Sequence, residues 1–161
     1  MIDDSFRIYV DQLRDGQVEE LDEFFSPAFL DVDEKDLKFV DPVYIAGQAY
    51  LADDMLVLHL DIKTFACIPC RICNNAVKIN IDLRGSYFAI PLNEIKTGIF
   101  DFREMLREAV LLEIPTLAEC HQGNCPERQV MQNFFKKETV PGSHNGEDEG
   151  YRPFENLEFK D

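Results

Sequence analysis

Residues 55–65, MLVLHLDIKTF, alternate without a break: Leu56, Leu58, Leu60 and Ile62 fall on one side, and Val57, His59, Asp61 and Lys63 on the other. Residues 77–84, VKINIDLR, repeat the pattern, with Val77, Ile79, Ile81 and Leu83 inward and Lys78, Asn80, Asp82 and Arg84 outward. A period of two with one polar face predicts two half-buried antiparallel strands. As neighbours, they make the stretch between them a hairpin tip. Residues 42–51, PVYIAGQAYL, read as a further strand in which Gly47 marks a bulge or a close backbone approach. Near the start, Phe6, Ile8 and Val10 alternate with Arg7, Tyr9 and Asp11, which predicts a strand ended by Gly16.

Other segments follow the helical period. Val18, Leu21 and Phe25 are spaced for a short helix, with acids early in the segment and Ser26-Pro27 at its end. Residues 101–115, DFREMLREAVLLEIP, predict the longest helix. Asp101 stands as N-cap and Glu104 as its capping-box partner, with Phe102, Leu106, Ala109 and Val110 as the apolar stripe and Pro115 as the stop. TLAECHQGNCPE then reads as a polar loop, and RQVMQNFFKK as a short helix. These elements predict an α+β fold: a mostly antiparallel sheet or meander packed with one or two helices, with a cysteine knuckle at a hairpin tip. Residues 1–137 form this single domain. Residues 138–150 have the Pro, Gly, Ser and acid content of a flexible linker, and residues 151–161 form a short terminal segment anchored by Phe154 and Leu157.

Charge changes the picture. The net charge is −15, and residues 1–61 hold 16 acidic and 4 basic side chains, whereas the remaining hundred hold 15 and 12. Such a front repels phosphate backbones, because nucleic-acid affinity rests on Lys and Arg displacing counterions. Extended RNA contact is therefore not expected, and a basic protein partner is attracted from a distance; solubility alone is the simpler use of the same charge. The acidic start lacks the basic and apolar regions of a signal peptide, and no eighteen apolar residues run together, which implies a cytoplasmic chain with no membrane contact.

In a reducing compartment five cysteines stay as thiols or bind metal. CIPCRIC, residues 67–73, offers two overlapping pairs, Cys67 with Cys70 and Cys70 with Cys73. A metal knuckle needs two thiolates one turn apart, often with a left-handed residue after the second. Asn74 after Cys73 suits that conformation better than Arg71 after Cys70, so Cys70 and Cys73 make the better clip and Cys67 reads as a strand end. CHQGNC supplies Cys120 and Cys125, and His121 is a possible substitute for either thiol. Cys70, Cys73, Cys120 and Cys125 are thus candidate ligands of one structural Zn²⁺; ordinary buried cysteines acting as small hydrophobes are the plainer reading. A thiol–disulfide oxidoreductase or redox sensor using Cys67, Cys70 and Cys73 is the alternative, but it asks for a motif opening a helix, and here strands flank it. No glycine-rich phosphate loop, HExxH or paired-carboxylate motif is present, so no catalytic residue and no small-molecule substrate is assigned.

Taken in order, CRICNN, the alternating strand after it, DFREMLREAVLLEIP, the Cys/His loop and the terminal RPFENL resemble the YceD-like family, the large ribosomal RNA subunit accumulation proteins. The similarity runs from about residue 40 to the end; the residue before the second cysteine, arginine in many relatives, is Ile72 here, with Arg71 one place earlier. The resemblance implies a non-enzymatic factor for large-subunit ribosomal RNA accumulation and ribosome assembly. Relatives' genes often lie beside one for a small basic ribosomal protein. A basic ribosomal protein or a large-subunit assembly intermediate is therefore the expected partner of residues 1–61, with contact to rRNA indirect and Phe154 and Leu157 either packing on the core or making a second contact.

Overall fold

The computed structural model describes residues 4–136; the linker and terminal segment expected at 138–161 lie outside the described residues. In chain order the strands are β1 (Arg7–Tyr9), β2 (Val18–Phe25), β3 (Val43–Ala52), β4 (Met55–Pro69), β5 (Ala76–Pro91) and β6 (Ile99–Asp101). Helices α1 (Arg103–Leu112), α2 (Cys120–Gly123) and α3 (Pro126–Lys136) follow. β2 to β5 form an antiparallel four-stranded meander in the order β2-β3-β4-β5, and β1 pairs with β6 in a separate two-stranded ribbon. This is the α+β architecture that the sequence predicts.

β4 and β5 carry the alternation read from the sequence. Leu56, Leu58, Leu60 and Ile62 are fully buried, and the same face runs on through Thr64, Ala66 and Ile68 to the end of β4. Val57, on the opposite side, is buried as well, flanked in register by Tyr50 and Ala89. On β5 only Ile81 is fully buried, because β5 is an edge strand and its inward side chains are covered from one side. At Gly47 the backbones of β3 and β4 approach so closely that a Cβ would stand 2.1 Å from the carbonyl oxygen of His59. Only glycine fits there.

Residues 18–25 form β2, not the helix that their spacing predicts. Leu21 and Phe25 lie four apart, which places them on one side of a strand as well as on one face of a helix. Eight residues in register with β3, from Val18 opposite Tyr50 to Phe25 opposite Val43, decide between the two. The N-terminal strand is shorter than expected. Phe6, Ile8 and Val10 are all buried, but only Arg7–Tyr9 pair, and a tight 3₁₀ segment begins at Val10.

α1 closes one face of the sheet. Its stripe of Phe102, Leu106 and Val110 is fully buried, and Phe102 meets Phe25 edge-on with ring centres 6.4 Å apart and lies 5.8 Å from Phe6. The cap differs by one residue from the sequence expectation. Phe102 occupies the N-cap position, and Asp101 Oδ1 accepts from the Arg103 N–H at 3.0 Å, one residue short of the Glu104 N–H that a capping box would use. From α1 the chain runs through Pro115 back to the β4–β5 tip, where Cys70 and Ala118 form a parallel bridge.

Candidate metal centre

The β4–β5 hairpin tip is a tight turn of six residues, 70–75. Cys70 N–H donates to the Asn75 carbonyl at 2.8 Å, and Asn74 N–H donates back to the Cys70 carbonyl at 2.9 Å. Closing it requires a left-handed residue after Cys73, and Asn74 takes that role with φ 59°. The turn points the Ile72 N–H at Cys70 Sγ, 3.4 Å away. The second loop is fastened alongside by Arg71 N–H donating to the Ala118 carbonyl at 2.9 Å, which brings the Cys120 N–H to 3.4 Å from the same sulfur. His121 and Gln122 are both left-handed, and Gly123 follows at φ 90°. This coil turns the chain back so that Cys125 immediately precedes α3.

The sulfurs of Cys70, Cys73, Cys120 and Cys125 consequently all lie within 4.8 Å of one another, and those of Cys73 and Cys120 are 3.7 Å apart. Tetrahedral ligands on metal–sulfur bonds of about 2.3 Å sit about 3.8 Å from each other. The quartet therefore fits a tetrahedral thiolate-bound ion, with Cys70 and Cys125 buried and Cys73 and Cys120 half-buried. Cys67 is outside it: its backbone pairs with Lys38 in both directions, at 2.8 and 3.0 Å, so it is a strand residue. His121 is exposed, and its Nδ1 lies 3.2 Å from Cys120 Sγ, next to a ligand and not among the four.

The thiols are electrostatically unequal. Burial pushes Cys70 up, but N–H donors from Cys120, Cys73 and Ile72, together with the Cys73 side chain, outweigh it and bring the thiol down to about 6. Burial raises Cys120 well above the ordinary thiol range, and its contacts with Cys125, Cys73 and Cys70 push the same way; burial also raises Cys125. Four sulfurs this close cannot all carry charge unaided. A bound divalent cation would deprotonate them together.

Glu119, which the sequence reading passed over as part of a polar loop, organises the surroundings. Its carboxylate accepts from the Cys125 N–H at 3.0 Å and from Arg128 Nε at 2.9 Å, and Arg71 reaches it at 3.4 Å. The Arg128 hydrogen bond, then the Cys125 N–H, hold its carboxyl at about 2. Two guanidinium groups against one carboxylate leave a local positive surplus, suited to offset an anionic four-thiolate centre. Arg71 thus has a definite partner 48 residues away. Glu119 had one legible signal: it immediately precedes the first cysteine of the second pair.

Away from this centre, the outer face of the sheet holds a 350 Å³ depression lined by Glu20, Asp22, Gln48, His59 and Asp61 beside Gly47. Among the described residues no helix is long and apolar enough to cross a membrane. Comparison of the chain with known protein families, with curated proteins and with solved structures finds no match.

Proposed function

We propose that this chain is a non-enzymatic assembly factor for the large ribosomal subunit, of the YceD-like kind. In this reading Cys70, Cys73, Cys120 and Cys125 hold one structural Zn²⁺, and the acidic residues 1–61 recruit a basic ribosomal protein or an assembly intermediate, keeping any contact with rRNA indirect. The observation that carries it is the convergence of two cysteine pairs from distant loops into one four-sulfur cluster. Four protein ligands complete a tetrahedral zinc site and leave no position for water or substrate, which is the arrangement of structural centres. When bound, the ion would cross-link the hairpin tip to the loop after α1.

The thiol oxidoreductase alternative is less well supported. Such an enzyme presents a low-pKa sulfur to its substrate, whereas Cys70, the one thiol with a lowered pKa, is 0% exposed. The charge distribution supports a cationic partner: Glu20, Asp22 and Glu23 of β2 and the acids of the turns around it are exposed, while the centre carries basic residues. Purified basic large-subunit ribosomal proteins and pre-50S particles are the probes. Co-sedimentation or pull-down at low salt, weakening as salt rises, is the expected result; absence of association with both at low salt would overturn the reading.

A further inference from the structure

β2 has β3 on one side only, and among the described residues no backbone hydrogen bond reaches its other edge. Eight residues in unbroken register therefore present a row of free N–H and C=O groups. Such an edge is a template for another strand unless something blunts it. The opposite edge, β5, is blunted: its register slips between Leu60 and Ile62, next to Gly85 at φ 61°, and its side chains mix Lys78 and Arg84 with Asp82. β2 has no such break. It carries Glu19, Glu20, Asp22 and Glu23 and not one basic residue.

That charge selects the occupant. A second copy of β2 would bring carboxylates against carboxylates, which cross-strand pairing penalises. An extended cationic strand meets the opposite situation. Its backbone would pair along β2, and a lysine or arginine on its outer face would lie beside the depression where Glu20, Asp22 and Asp61 converge. Two of these carboxylates are already aimed: the Tyr44 hydroxyl donates to Asp22 Oδ1 at 2.8 Å, and Asp61 Oδ1 accepts from the Gly85 N–H at 2.6 Å. The Phe24 ring, 71% exposed and tilted against Tyr44 with ring centres 4.7 Å apart, offers an aromatic face for the stem of such a side chain.

We infer that the free edge of β2 binds an extended Lys/Arg-rich protein segment by strand addition, and that this is how the acidic front engages its basic partner. The inference rests on the function proposed above and names its binding mode.

The test uses the full chain, ¹⁵N-labelled, and a capped nine-residue peptide of alternating lysine and threonine. The expected result is salt-sensitive binding with at least tenfold slower amide exchange along Val18–Phe25 and none of that slowing along β5. N-methylation of the three central peptide residues, which keeps the charge and blocks the backbone, should weaken binding at least tenfold, as should the surface double variant Glu20→Lys/Asp22→Lys. Equal binding of the methylated peptide, protection along β5, self-association through β2, or no binding of the peptide would each overturn strand addition. The two readings fail separately. Salt-sensitive capture of a basic ribosomal protein without peptide pairing would sink the edge and spare the assembly role, while peptide pairing without ribosomal capture would do the reverse.

Discussion

The sulfurs of Cys73 and Cys120 lie 3.7 Å apart although 47 residues separate them in the chain. Of residues 70–75 and 120–125, only Cys70 and Cys125 are buried. Hydrogen bonds from the Arg71 N–H to the Ala118 carbonyl and from the Cys120 N–H to Cys70 Sγ align the loops, and a shared ion would lock them. Structural zinc contributes about 10–16 kcal/mol apparent, the size of a domain's whole stability of about 5–15 kcal/mol. Cys73→Ser or excess strong chelator should therefore lower the melting temperature by roughly ten degrees or more, or abolish a cooperative transition. An unchanged thermal scan of the chelated protein would contradict this.

The aromatic centre supplies a second prediction. Phe102 is fully buried between α1 and the sheet, in ring contact with Phe6 and Phe25. Phe102→Ala should cost about 3–5 kcal/mol in urea unfolding, from lost transfer energy and the cavity left behind. Metal content should stay unchanged wherever the variant is folded.

Gly47→Ala probes the strand contact. The added methyl would meet the His59 carbonyl oxygen at 2.1 Å, so β3 and β4 must separate. We expect a loss of about 3 kcal/mol, at the upper end of overpacking costs. A change below 1 kcal/mol would mean that the strands accommodate the methyl by a shift.

Glu119 has a distinct pH signature. Its folded value, about 2, lies below the ordinary 4.5, with Arg128 the main cause. The stability it contributes is thus fully present above pH 4.5 and is lost as the pH falls from there through 2. Side-chain carboxyl NMR should find its midpoint near 2 in the native chain and shifted up towards the ordinary value in Arg128→Gln. A midpoint that ignores the arginine would contradict the assignment.

How much of this was legible in the sequence depends on the range of the interaction. The alternation in β4 and β5 is local, because one wet and one dry face impose a period of two on adjacent residues. The helix stripe of Phe102, Leu106 and Val110 is legible for the same reason. β2 was misread because the Leu21–Phe25 spacing satisfies both periods, and only pairing with residues 43–50 separates them. For the cysteines, Asn74 marks which local pair makes a turn, and φ 59° bears that out. The spacing of Cys120 and Cys125 is looser, and its meeting with the first pair depends on α1 carrying the chain back across the sheet. Glu119 acts through Arg71 and Arg128, 48 and 9 residues away, and a contact of that kind leaves no periodic trace.

The most direct test of the central claim is elemental analysis of the full chain purified under reducing conditions, alongside Cys120→Ser. One zinc per chain in the native protein and its loss in the variant is the predicted result. A folded, metal-free native protein, or zinc retained undiminished without the Cys120 sulfur, would contradict the four-cysteine centre on which the account stands.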